Sequence, residues 1–212
     1  GYTLMAVSAS YATSAGLYRK LIKYHPINSF APIAMLASNP NVLLAHPSVP
    51  AKNIKELIAY GKTQPAGRLH FGHSGQGSTN HLAGELFSVM SGVQLTAIAY
   101  KGASLNILAT IQGEVQLSFL PVLAALPQIK VGKLRAIGVT GAKRSKAAPQ
   151  VPTIAETLPG YEVPVWYGLM APSKMAKANI DKLEKEAIAA ARSNNDKEML
   201  AIFGAQAKDI LF

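Results

Sequence analysis

The chain has 212 residues, 49% of them hydrophobic, 15% charged and 7% aromatic, a composition that supports a sizeable core and excludes a disordered chain. There is no cysteine, which excludes a disulfide framework and thiolate chemistry, and no apolar run reaches the ~18 residues of a membrane-spanning helix. The net charge is +10, yet the cations are scattered: Lys143-Arg144-Ser145-Lys146 is the nearest thing to a basic run, and no arginines interleave with aromatic residues as in a nucleic-acid surface.

In chain order, hydrophobic periodicity predicts a strand over 2–7, a helix over 12–22, and strands over 33–36 and 42–45 flanking Asn39-Pro40. A helix starts near Asn53, with Ile54, Leu57 and Ile58 at helical spacing, and Pro65 and Gly67 end it. A strand over 68–71 leads into a glycine-rich loop over 72–77, after which Ser78 or Thr79 caps a helix to about Met90. Strands over 95–99, 115–119 and 134–139 alternate with helices over 105–112 and 122–129. A proline-rich loop holds Pro149, Pro152, Pro159 and Pro164; a strand over 165–170 and helices over 179–192 and 196–203 close the chain. Strands alternating with helices imply βαβ units and a mostly parallel sheet. The stretch 46–164 reads as self-contained. With hinge strands ending at Ala45 and starting at Val165, it forms lobe 2, and 1–45 with 165–212 forms lobe 1, the plan of a clamshell with its ligand between the lobes.

The segment richest in chemistry is Phe71-Gly72-His73-Ser74-Gly75-Gln76-Gly77-Ser78-Thr79-Asn80-His81. Its glycines let the backbone turn sharply and approach a ligand. The hydroxyls of Ser74, Ser78 and Thr79 are donors, and the following helix presents free N–H groups and a positive dipole end. Two readings stand: an anion site built without a charged side chain, or the turn and N-cap that any strand-to-helix junction needs. A P-loop is excluded because Ser78 stands where the lysine belongs. A dinucleotide fingerprint fails at Asn80, and a Gly-x-Ser-x-Gly elbow fails at Gln76. The histidines His25, His46, His70, His73 and His81 show no metal-ligand spacing, and no paired carboxylates suggest acid–base work. No catalytic residue, metal or cofactor is therefore assigned. A hydrolase using Ser74 with His73 or His81 is the alternative. Trp166-Tyr167-Gly168 reads either as core strand or as a lining of the hinge or cleft.

Gly1-Tyr2-Thr3-Leu4, Phe30-Ala31-Pro32-Ile33-Ala34, Asn39 to Pro47, Phe71 to Glu85, Tyr100-Lys101-Gly102-Ala103, Gly132 to Ser145, Val151-Pro152-Thr153, Pro159-Gly160-Tyr161-Glu162 and Trp166-Tyr167-Gly168 follow one another in the order and spacing of a known family. By that series the chain resembles the substrate-binding proteins of tripartite tricarboxylate transporters, the Bug family. The resemblance implies an α/β periplasmic-binding-protein type II fold, two lobes each with a mixed, mostly parallel sheet flanked by helices. It implies a periplasmic, monomeric protein that binds a small carboxylate and hands it to a membrane permease, without nucleic acid and without catalysis. Carried over by position, Ser8, Ala9 and Ser10 form one wall of the site. Ser74, Gly75, Gly77, Ser78, Thr79 and His81 form the other, and Tyr100, Lys101, Gly102 and Ala103 its edge. The family's first glycine-rich loop and helix are expected upstream of Gly1, and its tail beyond Phe212. Its acids near Ala109-Thr110 and at Leu120-Pro121 are absent, which disfavours an amine-bearing ligand and points to a plain or apolar-tailed carboxylate.

Overall fold

The structure, a computed structural model, describes residues 3–192. Its elements in chain order are β1 (Met5–Ser8), α1 (Ser10–Leu17), β2 (Phe30–Ser38), β3 (Asn41–Ala45), α2 (Ile54–Thr63), β4 (Leu69–His73), α3 (Thr79–Ser91), β5 (Leu95–Ala99), α4 (Ala103–Gln112), β6 (Leu117–Pro121), α5 (Val122–Lys130), β7 (Arg135–Val139), β8 (Trp166–Pro172) and α6 (Lys177–Arg192). The helix expected over 196–203 lies outside the described residues. The main departure in length is α1, which stops at Leu17. It buries no residue, and Leu17 and Leu21 are 52% and 75% exposed, so no packing rewards another turn.

The chain divides into two compact units, one built from the segments up to Ser38 and from Val165 onward, the other spanning Asn39–Pro164. The boundary expected after Ala45 is corrected to Ser38. β3 pairs antiparallel with β6 on one side and β7 on the other, in the interior of the second unit's sheet. Its Val-Leu-Leu-Ala run suits a strand covered on both faces.

In the first unit the sheet order is β1-β8-β2, with β8 antiparallel to both neighbours and α6 packed on β2. Trp166 opens the central strand, opposite Ser38, and a Cβ on Gly168 would lie 2.9 Å from the Ala34 carbonyl oxygen, so the close approach of β8 to β2 requires glycine there.

In the second unit the order is β5-β4-β6-β3-β7, and every strand but β3 runs the same way. Alternate residues of β3 feed two cores. Leu43 and Ala45 join Leu57, Phe71, Phe87, Leu117, Phe119 and Tyr161 on one side. Val42 and Leu44 join Leu120, Val122, Ala125 and Leu134 on the other. Each fully buried aliphatic or aromatic side chain stabilises by roughly 1.5–3 kcal/mol. Helices α2 and α3 are fastened at their starts by side-chain caps. Asn53 accepts the Glu56 N–H at 2.9 Å as the N-cap of α2. Asn53→Ala is expected to cost about 1 kcal/mol, read as a lower urea midpoint with unchanged slope.

Candidate functional site

β4 and β5 run parallel with His73 beside Ala99. Their carboxyl ends therefore open on one edge of the second sheet, and the helices that follow, α3 and α4, both start there. In open α/β sheets that edge is where ligands bind. The structure thus brings Ser74–His81 and Tyr100–Ala103 together, joined by the Tyr100 N–H, which donates to the His73 carbonyl at 2.8 Å. β3 runs the other way, so its first residue, Asn41, reaches the same edge opposite Pro121.

The loop from β4 to α3 is shaped by its own side chains. Gly75 (φ +128) and Gly77 (φ +77) take conformations that a side chain would strain. A Cβ on Gly75 would meet nothing within 4 Å, so the backbone there faces open space. Ser78 is the N-cap of α3: its hydroxyl accepts the His81 N–H and donates to the Gly75 carbonyl. Ser74 donates to Asn80 Oδ1 at 3.0 Å. The buried Asn41 donates through Nδ2 to Thr79 Oγ1 at 3.4 Å. These hydroxyls differ in consequence. Ser78 and Ser74 use their protons inside the loop, whereas Thr79 receives a hydrogen bond and keeps its O–H for another acceptor. The backbone N–H groups of Thr79 and Asn80, in the first turn of α3, have no partner among the described residues.

His73 is buried, 4% exposed, with its ring 4.4 Å from that of His81. Its Nδ1 accepts the Gly75 N–H at 3.1 Å, and Nδ1 of His81 accepts the Gly77 N–H at 3.2 Å. Burial is the largest influence on His73 and, with the nearby His81, lowers its pKa below 6.5 against the opposing effects of the Gly75 backbone and Glu85. Neither ring accepts from Ser74, so the nucleophile–base pair of a Ser74 hydrolase is not assembled. Among the described residues no three His, Asp or Glu side chains converge as a metal site.

Gly102 (φ +98) is the N-cap of α4, and Lys101 beside it is exposed. Burial first, then Glu114, raises the pKa of Tyr100, so its hydroxyl stays protonated at neutral pH. Leu120 is buried, and Thr110 is buried with its hydroxyl on the Asn106 carbonyl at 2.7 Å. In the first unit, Ser8, Ala9 and Ser10 form the junction of β1 and α1, where the Ala9 N–H donates to the Trp166 carbonyl at 3.0 Å. Asn41 and Asn80 were not legible as site residues. Asn41 is 38 positions from the Thr79 it serves, and in the sequence Asn80 only stands where a dinucleotide fingerprint needs glycine.

A family model described as the tripartite tricarboxylate transporter family receptor matches residues 1–209. Protein BugT of Bordetella pertussis is 33% identical over 174 residues, which is 81% of this chain and 53% of that protein. Among solved structures, Rpa4515 of R. palustris with adipate is 32% identical at a TM-score of 0.75, covering 93% of this chain and 65% of that one. MatC of Rhodopseudomonas palustris with bound malate is 26% identical at a TM-score of 0.79, covering 99% and 69%. The chain spans 53–57% of the length of three curated relatives. The match over nearly every residue, on an α/β fold of the periplasmic-binding type II class, places this chain in the tripartite tricarboxylate transporter receptor family.

Proposed function

We propose that this chain is the greater part of a periplasmic receptor that captures a small carboxylate and passes it, unreacted, to a membrane permease. The observation that carries the reading is the start of α3: two N–H groups without a partner among the described residues, those of Thr79 and Asn80, and the spare Thr79 hydroxyl proton lie beside a glycine turn open to solvent. That is a set of donors without acceptors, at the positive end of a 13-residue helix. Two similar proteins hold adipate and malate. Ser74, Gly75, Gly77, Ser78, Thr79 and His81, with Tyr100, Lys101, Gly102 and Ala103, are the candidate ligand contacts of the second unit, and Ser8, Ala9 and Ser10 those of the first. The receptor acts as a monomer.

The ligand is a plain or apolar-tailed acid rather than an amino acid, because Leu120-Pro121 offers no carboxylate to an ammonium group. A thermal-shift screen of carboxylic acids, adipate and malate included, tests this. An acid at 100 times its Kd stabilises by about 2.7 kcal/mol, and tight binding confined to amino acids refutes the ligand class. Thr79→Ala removes a donor worth about 1.5–3 kcal/mol toward a carboxylate, so its Kd should rise at least tenfold while Thr79→Ser stays near the native value. Native affinity in Thr79→Ala places the site elsewhere.

A further inference from the structure

We infer that His73 and His81 are positioning residues that latch the carboxylate loop through unprotonated Nδ1 atoms, so that acidification opens the loop and weakens binding. The inference rests on the proposed function and adds a control to the same site. Two imidazoles sit side by side, and each accepts one backbone N–H from the loop: Gly75 at 3.1 Å and Gly77 at 3.2 Å. Both glycines have positive φ, so the loop conformation has little propensity of its own and depends on what holds it. An imidazole accepts at Nδ1 only when that nitrogen carries no proton, which makes both rings the Nε2–H tautomer. On protonation Nδ1 becomes a donor facing a donor, and the latch turns into a repulsion. Two imidazolium rings 4.4 Å apart would also repel each other.

The surroundings favour the neutral form of His73. Phe71 lies against both rings, its centroid 5.9 Å from His73 and 6.4 Å from His81. Glu85, on α3, is the acid nearest His81, with its carboxylate 3.6 Å from Nε2. Its side chain is half exposed, which weakens its pull toward the charged form. Tyr161 packs behind α3 with its hydroxyl on the Ala83 carbonyl, and burial keeps it protonated. Tyr100, after β5, meets His73 through the main chain, and Lys101 beside it is exposed. His73 has its pKa lowered from 6.5, so it contributes fully to the latched state above that value. The contribution is lost as pH falls below 6.5 toward the lowered native value.

The sign separates this device from plain charge attraction. An imidazolium that attracted the anion would tighten binding at low pH; the latch loosens it. With adipate and malate as probes, native Kd should rise roughly 3–10-fold from pH 8 to pH 5.5, as the latched fraction falls. His81→Asn puts an untitratable acceptor close to the place of Nδ1. It should recover most of the affinity that His81→Leu loses and show a flatter pH profile than the native chain, a comparison in which ligand protonation cancels. Nitrogen NMR on the ligand-free chain gives the second readout: Nε2–H tautomers at both histidines at pH 8, with the Gly75 and Gly77 amides shifting in step with imidazole titration. Tighter binding at low pH, an Nδ1–H tautomer, or glycine amides indifferent to pH 8–5 overturns the latch. If neither acid binds at pH 8, the wider acid screen decides the carboxylate reading and the nitrogen titration alone decides the latch.

Discussion

Phe71→Ala is expected to destabilise the second unit by about 3–5 kcal/mol, the range for removing a buried phenylalanine. Phe71 is fully buried in β4, edge-on to Phe119 at 5.9 Å. Its ring fits so closely under α3 that a Cβ on Gly84 would lie 2.1 Å from Cε2. Helix and strand backbones meet across this ring, so the hole it leaves cannot close by a side-chain rotation, and the cost belongs at the upper end. The same ring supports His73 and His81, so the variant should bind more weakly, at pH 8, any carboxylate that the native chain binds, even at temperatures where circular dichroism shows it folded. A urea transition displaced by less than about 1 kcal/mol would mean that the core refills and that the ring has little mechanical role.

Gly72→Ala is the second large effect, by overpacking instead of a cavity. A Cβ at Gly72 would stand 2.0 Å from Asn106 Oδ1 and 2.8 Å from its Cγ. Asn106 is wholly buried in the first turns of α4, with Thr110 against it. It has no solvent to swing into, and α4 must lift from β4. Overpacking of this kind costs about 1–3 kcal/mol, and lifting α4 displaces the turn at Tyr100–Ala103, so carboxylate affinity should fall with stability. The decisive check is Gly72→Ala combined with Asn106→Ala. Asn106 Nδ2 and Ser118 Oγ are both buried without a partner among the described residues, so truncating Asn106 relieves the clash and one unpaired group together. The double variant should be more stable than Gly72→Ala alone, with a coupling energy above 0.5 kcal/mol. Simple additivity of the two losses would show that the clash relaxes by another route.

The site divides between what was legible and what was not according to the range of the interactions involved. The junction from Phe71 to His81 was legible because every cue in it is local: an apolar strand, glycines where the chain turns, a serine three residues before the N–H it caps. The same local reading assigned the hydroxyls of Ser74, Ser78 and Thr79 alike to a ligand. Only the structure separates them, because their partners are Asn80, the Gly75 carbonyl and Asn41, and the last comes from a strand 38 residues away. The part His73 plays as an acceptor for the Gly75 amide is not legible, since nothing in a sequence tells which ring nitrogen faces which amide.

The amino-acid sequence by itself determined the class of fold and the order of elements, because periodicity, caps and turns are properties of short segments, and its ordered series of motifs carried the resemblance to the family. The tertiary structure alone decided that β3 lies between β6 and β7, which moves the unit boundary from Ala45 to Ser38. It alone decided that two imidazoles hold the loop. Strand order and side-chain partnership are set by long-range packing: many pairings satisfy the same local pattern, and the free energy that selects one of them comes from the buried core.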